Sequence, residues 1–126
     1  MKFLLLLSLI LTTLFATEKM LHETPYRIIK ESMGQGKPNF IEVGSDSCHS
    51  CRIMGKMLYK TAQKHPTYNI SFVNVKKERQ AALALKIQMI PTQLIFDKNG
   101  KEVYRHVGVL SQNELEKLFQ THGFAK

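Results

Sequence analysis

From residue 17 onward the hydrophobic pattern changes its period several times, and each change marks a new predicted element. Apolar residues recur every three or four positions in some segments, which is typical of helices, and alternate or form short β-branched runs in others, which is typical of strands. In chain order we predict a helix after Thr24-Pro25, a strand at 40–43, a helix at 48–64, a strand at 68–75, a helix at 78–85, strands at 92–96 and 101–107, and a helix after residue 111. Strands separated by helices pair in parallel through crossovers, whereas strands joined by a tight turn pair antiparallel. The pattern therefore predicts an α/β fold with a mixed central β-sheet flanked by helices.

Local turn and capping signals support several of these boundaries. Thr24-Pro25 has the form of an N-cap followed by proline at the first helical position. Asp-Lys-Asn-Gly at 97–100 is a hairpin turn signal between the last two strands. Ser111 and Glu114 have the spacing of a capping box at the start of the last helix, and Gly123 suits the position just after its end.

The first 16 residues have the pattern of a secretory signal peptide. Lys2 supplies a positive charge, residues 3–15 are apolar except for one Ser and two Thr, and Ala16 is small enough for a cleavage site. This apolar run is shorter than the ~20 residues that a membrane-spanning helix needs. We therefore predict a signal peptide at 1–16, a domain at 17–126 and export to the periplasm, with an uncleaved membrane anchor as the alternative.

Composition and charge narrow the class of protein further. A chain of 126 residues with 44% hydrophobic and 22% charged residues is long enough for one globular domain and too apolar for disorder. The formal net charge is +8, but no basic stripe with interleaved aromatic residues indicates a nucleic-acid partner. Two cysteines exclude a disulfide-rich scaffold and a four-cysteine metal site.

The two cysteines form a C-x-x-C motif at the start of a predicted helix, at Cys48 and Cys51. Only a thiolate attacks a disulfide, and a helix N-terminus stabilises the Cys48 thiolate through free N–H groups and the helix dipole. A protonated His49 would add to that stabilisation. One alternative is an inert structural disulfide, and another is copper(I) held by both cysteines with Met54 or Met57. Haem attachment is excluded, because it requires histidine after the second cysteine and Arg52 stands there.

Four motifs in order resemble the thioredoxin family over about residues 24–122. They are the strand at 40–43 followed by Cys48-His49-Ser50-Cys51, the segment Ile90-Pro91-Thr92 before the strand 93–96, the hairpin at 98–103, and Val107-Gly108-Val109-Leu110-Ser111 before the last helix. The resemblance implies a thioredoxin fold. It also implies that Cys48 attacks the substrate disulfide, that Cys51 resolves the mixed disulfide, and that no cofactor is needed.

The resemblance also implies roles for residues outside the motif. Glu42, inside an otherwise apolar strand, corresponds to a buried acid that relays protons to Cys51. The alternative is that Glu42 points outward from an edge strand. Pro91 corresponds to a cis-proline that places the Ile90 backbone beside the sulfurs, where a substrate strand can pair. His49 and Ser50, between the cysteines, are expected to modulate the active site.

Departures from the family pattern bear on specificity. Thioredoxins have Trp before the first cysteine and Gly-Pro between the two, whereas this chain has Ser47 and His49-Ser50. Phe72 stands where many relatives have a lysine that faces the buried acid. Exported thioredoxin-like proteins are therefore the better comparison.

The prediction is a monomeric periplasmic thiol–disulfide oxidoreductase, acting as a reductase on exported cysteine-containing proteins. The resemblance implies a membrane thiol transporter as its electron donor. The alternatives are a disulfide-forming oxidant and a copper(I) metallochaperone. The other histidines, His22, His65, His106 and His122, are scattered, and we predict that they lie on the surface.

Overall fold

The computed structural model describes residues 18–125, so the predicted signal peptide at 1–16 lies outside the described residues. Four helices and four strands form within that range. In chain order they are α1 (Tyr26–Ser32), β1 (Asn39–Gly44), α2 (His49–Lys64), β2 (Asn69–Asn74), α3 (Arg79–Ala84), β3 (Thr92–Phe96), β4 (Glu102–Val107) and α4 (Gln112–Thr121). Each predicted element is present, with its ends shifted by a few residues at most. Among residues 18–125, no helix combines the length and apolar character needed to cross a bilayer.

The strands form one mixed sheet in the order β2-β1-β3-β4. β1 pairs in parallel with β2 and antiparallel with β3, and β3 pairs antiparallel with β4. The predicted α/β fold with a mixed sheet flanked by helices is therefore confirmed. β1 is an interior strand and is buried along its entire length, which explains why its sequence is a nearly continuous apolar run rather than an alternating one.

Each face of the sheet is covered by two helices. Because successive β1 side chains point to opposite faces, β1 contributes to the core on both sides. The core on one face joins β1 and β3 to α2 and α4, and it contains Phe40, Met54, Leu58, Ile95, Leu115 and Phe119. The core on the other face joins the same strands to α1 and α3, and it contains Ile29, Ile41, Val43, Ala81 and Leu94. Glu42 follows Phe40 by two residues and so points toward the face covered by α2 and α4.

The capping predictions succeed at the C-terminal end of the chain and fail at α1. The Ser111–Glu114 capping box is complete at α4, Gly123 has a positive φ of 75° after that helix, and Asp97 accepts backbone bonds across the predicted hairpin turn. Thr24 does not cap α1, and Pro25 is the N-cap rather than the first helical residue.

The reason for this failure is a contact from another part of the chain. The N–H of Thr24 bonds to the C=O of Phe72, so the segment runs extended along β2. The carboxylate of Glu78 then accepts the N–H of Tyr26 at 3.2 Å and caps α1 from 52 residues away.

Candidate active site

The C-x-x-C motif lies where β1 ends and α2 begins. Cys48 is the N-cap of α2, and its Sγ accepts the N–H of Cys51 at 3.3 Å, in the position where a Ser or Asp oxygen usually caps a helix. Both cysteines are free thiols; Cys48 is half-buried, whereas Cys51 has no exposed surface. Exposed His49 and half-buried Ser50 complete the first turn of α2. Cys48 is therefore the thiol that a substrate can reach.

The thiol of Cys51 is packed against the end of β1. A Cβ placed on Gly44 would lie 2.8 Å from the Sγ of Cys51, so the missing side chain at Gly44 makes room for the sulfur. Burial, followed by the hydrogen bond with Cys48, raises the pKa of the Cys51 thiol to about 12. Cys51 therefore holds its proton near neutral pH while Cys48 is a free thiol or thiolate.

Glu42 has no exposed surface, although it carries an ionisable carboxyl. The alternative that it points outward from an edge strand is excluded, because β1 is an interior strand. Burial raises the pKa of the Glu42 carboxyl well above its ordinary range, against the opposing hydrogen bond from Gln93, and the charge of Cys48 raises it further. Glu42 and Gly44 are on the same face of β1, and Cys51 packs over Gly44. The buried acid and the buried thiol thus share one face of the sheet.

Gln93 and His106 are polar partners of this site that the sequence reasoning missed. The Nε2 of Gln93 donates to the two carboxyl oxygens of Glu42 at 3.1 and 3.4 Å. On its other side, the Oε1 of Gln93 lies 2.7 Å from the Nδ1 of His106. Gln93 carried the same signal as Glu42, a polar residue inside an apolar strand, and that signal alone would have identified it.

The prediction that the scattered histidines lie on the surface holds fully for His22 and in part for the other three. His65, His106 and His122 are half-buried. His65 stacks on Tyr68 with ring centroids 4.4 Å apart, and the ring of His106 faces Gln93. These rings are partly covered because they pack on neighbouring side chains, Tyr68 three residues along the chain in one case and Gln93 on the adjacent strand in the other.

The Ile90-Pro91 segment comes directly before β3. Its peptide bond is cis, Pro91 is buried and Ile90 is half-buried. The C=O of Pro91 accepts the N–H of Gly108 at 2.8 Å, which joins this segment to the loop after β4. Among residues 18–125, no group bonds to the backbone N–H or C=O of Ile90. Large apolar side chains are exposed just before this segment, at the end of β4, in the loop after β4 and at the start of α2, namely Met89, Val107, Val109 and Ile53.

The two methionines considered as copper(I) ligands, Met54 and Met57, pack in or against the protein core. Met54 is fully buried, and its sulfur lies 3.3 Å from the N–H of Leu110. Met57 is half-buried and packs against the core between α2 and α4. In the described part of the chain, no three His, Cys, Asp or Glu side chains come together as metal ligands.

A C-x-x-C pair at the junction of a central strand and a helix, in a mixed four-stranded sheet, defines the class of thioredoxin-fold proteins. Residues 26–123 match the model of the thioredoxin-like domain family, and the chain belongs to that family. Its general activity is thiol–disulfide oxidoreduction.

Relatives and solved structures agree with this membership. The chain is 31% identical to a thioredoxin of Mycoplasma pneumoniae over 78 residues, which cover 62% of this chain and 76% of the relative. It is 25% identical to a thioredoxin of Mycoplasmoides gallisepticum over 101 residues, which cover 80% of this chain and 100% of the relative. Among solved structures, a thioredoxin from Nicotiana alata superposes with a TM-score of 0.70 at 23% identity, covering 84% of this chain and 93% of that one. This structural likeness supports the fold.

The buried acid predicts a specific dependence of stability on pH. The folded state keeps the Glu42 proton at pH values where the unfolded chain releases it, so stability falls as the pH rises from about 4.5 through the folded-state pKa. Glu42→Gln removes this loss. We expect the variant to be more stable than the wild type at pH 8 by on the order of 1 kcal/mol or more, and about equally stable at pH 4. Urea unfolding at both pH values measures this difference.

Exposed Glu31 provides the matched control. Glu31→Gln should change stability by less than about 0.5 kcal/mol at either pH. An equal response of the two variants would show that the Glu42 carboxyl is not held in a buried, proton-retaining environment.

Proposed function

We propose that this protein is an exported protein disulfide reductase in which Cys48 is the attacking nucleophile. The Cys48 thiolate attacks one sulfur of a substrate disulfide, so that a Cys48–substrate disulfide forms and the first substrate sulfur leaves as a thiolate. Cys51 then attacks the Cys48 sulfur, which forms the Cys48–Cys51 disulfide and releases the second substrate thiolate. The substrate gains two electrons, and the C-x-x-C pair loses them.

The observation that carries this proposal is the contrast between the accessible Cys48 and the buried Cys51 beside Glu42. While Cys48 is a thiolate, its hydrogen bond and its charge both raise the pKa of the Cys51 thiol. Both effects end when Cys48 enters a mixed disulfide, so Cys51 becomes easier to ionise only once there is a disulfide to resolve. In our proposal Glu42, which shares its sheet face, accepts the proton of Cys51 at that stage.

The segment around Ile90 is proposed to bind the substrate chain. An extended peptide can pair with backbone groups that have no partner, as in addition of a strand to a sheet edge. The Ile90 N–H and C=O meet that condition within residues 18–125. Exposed apolar side chains at Met89 and Val109 would cover the substrate residues beside its disulfide.

In this proposal His49 and Ser50, between the two cysteines, modulate the active site. The protein is proposed to act as a monomer.

The proposed direction is reduction, with a membrane thiol transporter as the electron donor and exported cysteine-containing proteins as substrates. Sequence similarity to thioredoxins supports this direction. The oxidant alternative stands on His49, whose positive form would stabilise the Cys48 thiolate and so make the pair more oxidising.

Catalysis by the two thiols is tested with insulin as substrate and dithiothreitol as electron donor. We expect the wild type to accelerate insulin reduction and Cys48→Ser to abolish the acceleration. Cys51→Ser should accumulate mixed disulfides through Cys48, since attack occurs but resolution does not. Mass spectrometry of alkylated complexes identifies the linked cysteine. If Cys48→Ser instead trapped substrates as mixed disulfides, the roles assigned to the two cysteines would be reversed. If the protein bound one copper(I) per chain tightly and showed no reductase activity, the metallochaperone alternative would be favoured.

The direction of electron flow is tested by the reduction potential of the Cys48/Cys51 pair. We expect a value near the ~−270 mV of thioredoxin rather than the ~−120 mV of a strong periplasmic oxidant. Equilibration with glutathione redox buffers, read by the mass shift of alkylated thiols, measures it. A reduction potential near ~−120 mV would identify a disulfide-forming oxidant.

Export is proposed from the signal-peptide pattern at residues 1–16. We expect the full chain, expressed in a bacterium with an outer membrane, to appear in the periplasmic fraction with Thr17 as its N-terminus. N-terminal sequencing of that fraction is the measurement. A protein that retains Met1 and sediments with membranes would indicate an uncleaved anchor, and retention in the cytoplasm would contradict export.

A further inference from the structure

A single row of side chains crosses the sheet on the face covered by α2 and α4. Phe72, Glu42, Gln93 and His106 are directly opposite one another on β2, β1, β3 and β4. Phe72 offers Glu42 no polar atom, so Gln93 is the cross-strand partner that can bond to the carboxyl. Since Gln93 also bonds to His106, the row forms a hydrogen-bonded chain from the buried acid to the edge of the sheet.

We propose that Gln93 and His106 are positioning residues that set the protonation state of Glu42, with the orientation of the Gln93 amide as the link between them. This inference deepens the proposed function, because it rests on Glu42 as the acceptor of the Cys51 proton. In this proposal both residues act through Glu42.

The orientation of the amide decides which form of Glu42 is favoured. An amide nitrogen only donates and an amide oxygen only accepts. In the structure the nitrogen of Gln93 faces Glu42, and the oxygen faces the Nδ1 of His106, which must therefore carry a proton. An N–H directed at a carboxyl stabilises its charged form. This orientation therefore prepares Glu42 to accept a proton.

The opposite orientation suits Glu42 after it has accepted the proton. The carboxylic O–H of Glu42 would then donate to the oxygen of Gln93, and the nitrogen of Gln93 would donate to His106. That bond requires Nδ1 to be bare. A neutral ring with its proton on Nε2 permits it, whereas an imidazolium, which carries a proton on both nitrogens, forbids it. A protonated His106 therefore fixes the amide in the orientation that favours the Glu42 carboxylate.

Of the three residues in this hydrogen-bonded chain, only His106 is in contact with solvent. Glu42 and Gln93 have no exposed surface, and His106 is half-buried on the edge strand β4. The charged or titratable groups around His106 are Glu114 on α4, with which it interacts electrostatically, and Tyr104 on its own strand, at a ring distance of 6.5 Å.

The groups that face Glu42 are different. They are Cys48 and Cys51 from α2 on one side and the Gln93 amide on the other. The Gln93 amide thus joins the His106 ring to the Glu42 carboxyl.

The test follows the Glu42 carboxyl by ¹³C NMR in the reduced, glutamate-labelled protein as the pH is changed. Gln93→Met removes the donor at similar size, and we expect the Glu42 titration to move to higher pH. His106→Phe should move it in the same direction. In the double variant His106→Phe should add nothing, because its effect passes through the amide. If Gln93→Met does not fold, Gln93→Leu takes its place.

The matched control is His122→Phe, which alters another half-buried histidine near Tyr104 and should leave the Glu42 titration unchanged. A His106→Phe shift that persists without Gln93 would show a direct charge effect and overturn the proposal. No shift in either single variant would overturn it as well.

A kinetic measurement separates this inference from the proposed function. Dithiobis(nitrobenzoate) releases one nitrothiobenzoate when Cys48 attacks and a second when Cys51 resolves the mixed disulfide. Gln93→Met should slow the second phase about three- to tenfold at pH 7, recover at higher pH and leave the first phase unchanged. If Glu42→Gln leaves the second phase unchanged, the proposed role of Glu42 fails, whereas the NMR titration still tests the positioning of its proton.

Discussion

The site depends on the burial of one carboxyl in the middle of the sheet. Glu42 occupies an interior strand with no exposed surface, where an ionised group is costly unless it is paired. Phe72 is its neighbour on one side, so an amide rather than a cation supports the charge. The result is a carboxyl whose pKa lies well above its ordinary range, close to a thiol whose pKa is also raised. The stability of this domain and its proposed chemistry are therefore both linked to the proton of Glu42.

The two thiols differ because the helix geometry treats them differently. Cys48 caps α2 and remains accessible, whereas Cys51, one turn further, is turned into the protein against Gly44. A glycine at the end of β1 is what allows the sulfur to approach the strand so closely. The same two-residue spacing that brings the two sulfurs close together also separates an accessible thiol from a fully buried one.

Most of the fold was predictable from the sequence because its signals are local. The apolar run at 40–43, the turn at 97–100 and the Ser111–Glu114 capping box each act within a few residues, and each is present as predicted. The cap of α1 was predicted wrongly because its acceptor, Glu78, comes from a loop far along the chain. The local sequence favoured Thr24 as the N-cap, but the pairing of Thr24 with β2 holds that residue in an extended conformation.

The candidate site shows the same difference between local signals and long-range contacts. The sequence by itself determined the C-x-x-C motif, its place at a helix start and the anomaly of an acid in an apolar strand, because spacing and hydrophobic period are properties of neighbouring residues. Only the tertiary structure decided that Glu42 meets Gln93 and that Gln93 meets His106. These contacts follow from the register of β1, β3 and β4. Strand register is set by the packing of a whole sheet face, which no single segment of the chain encodes.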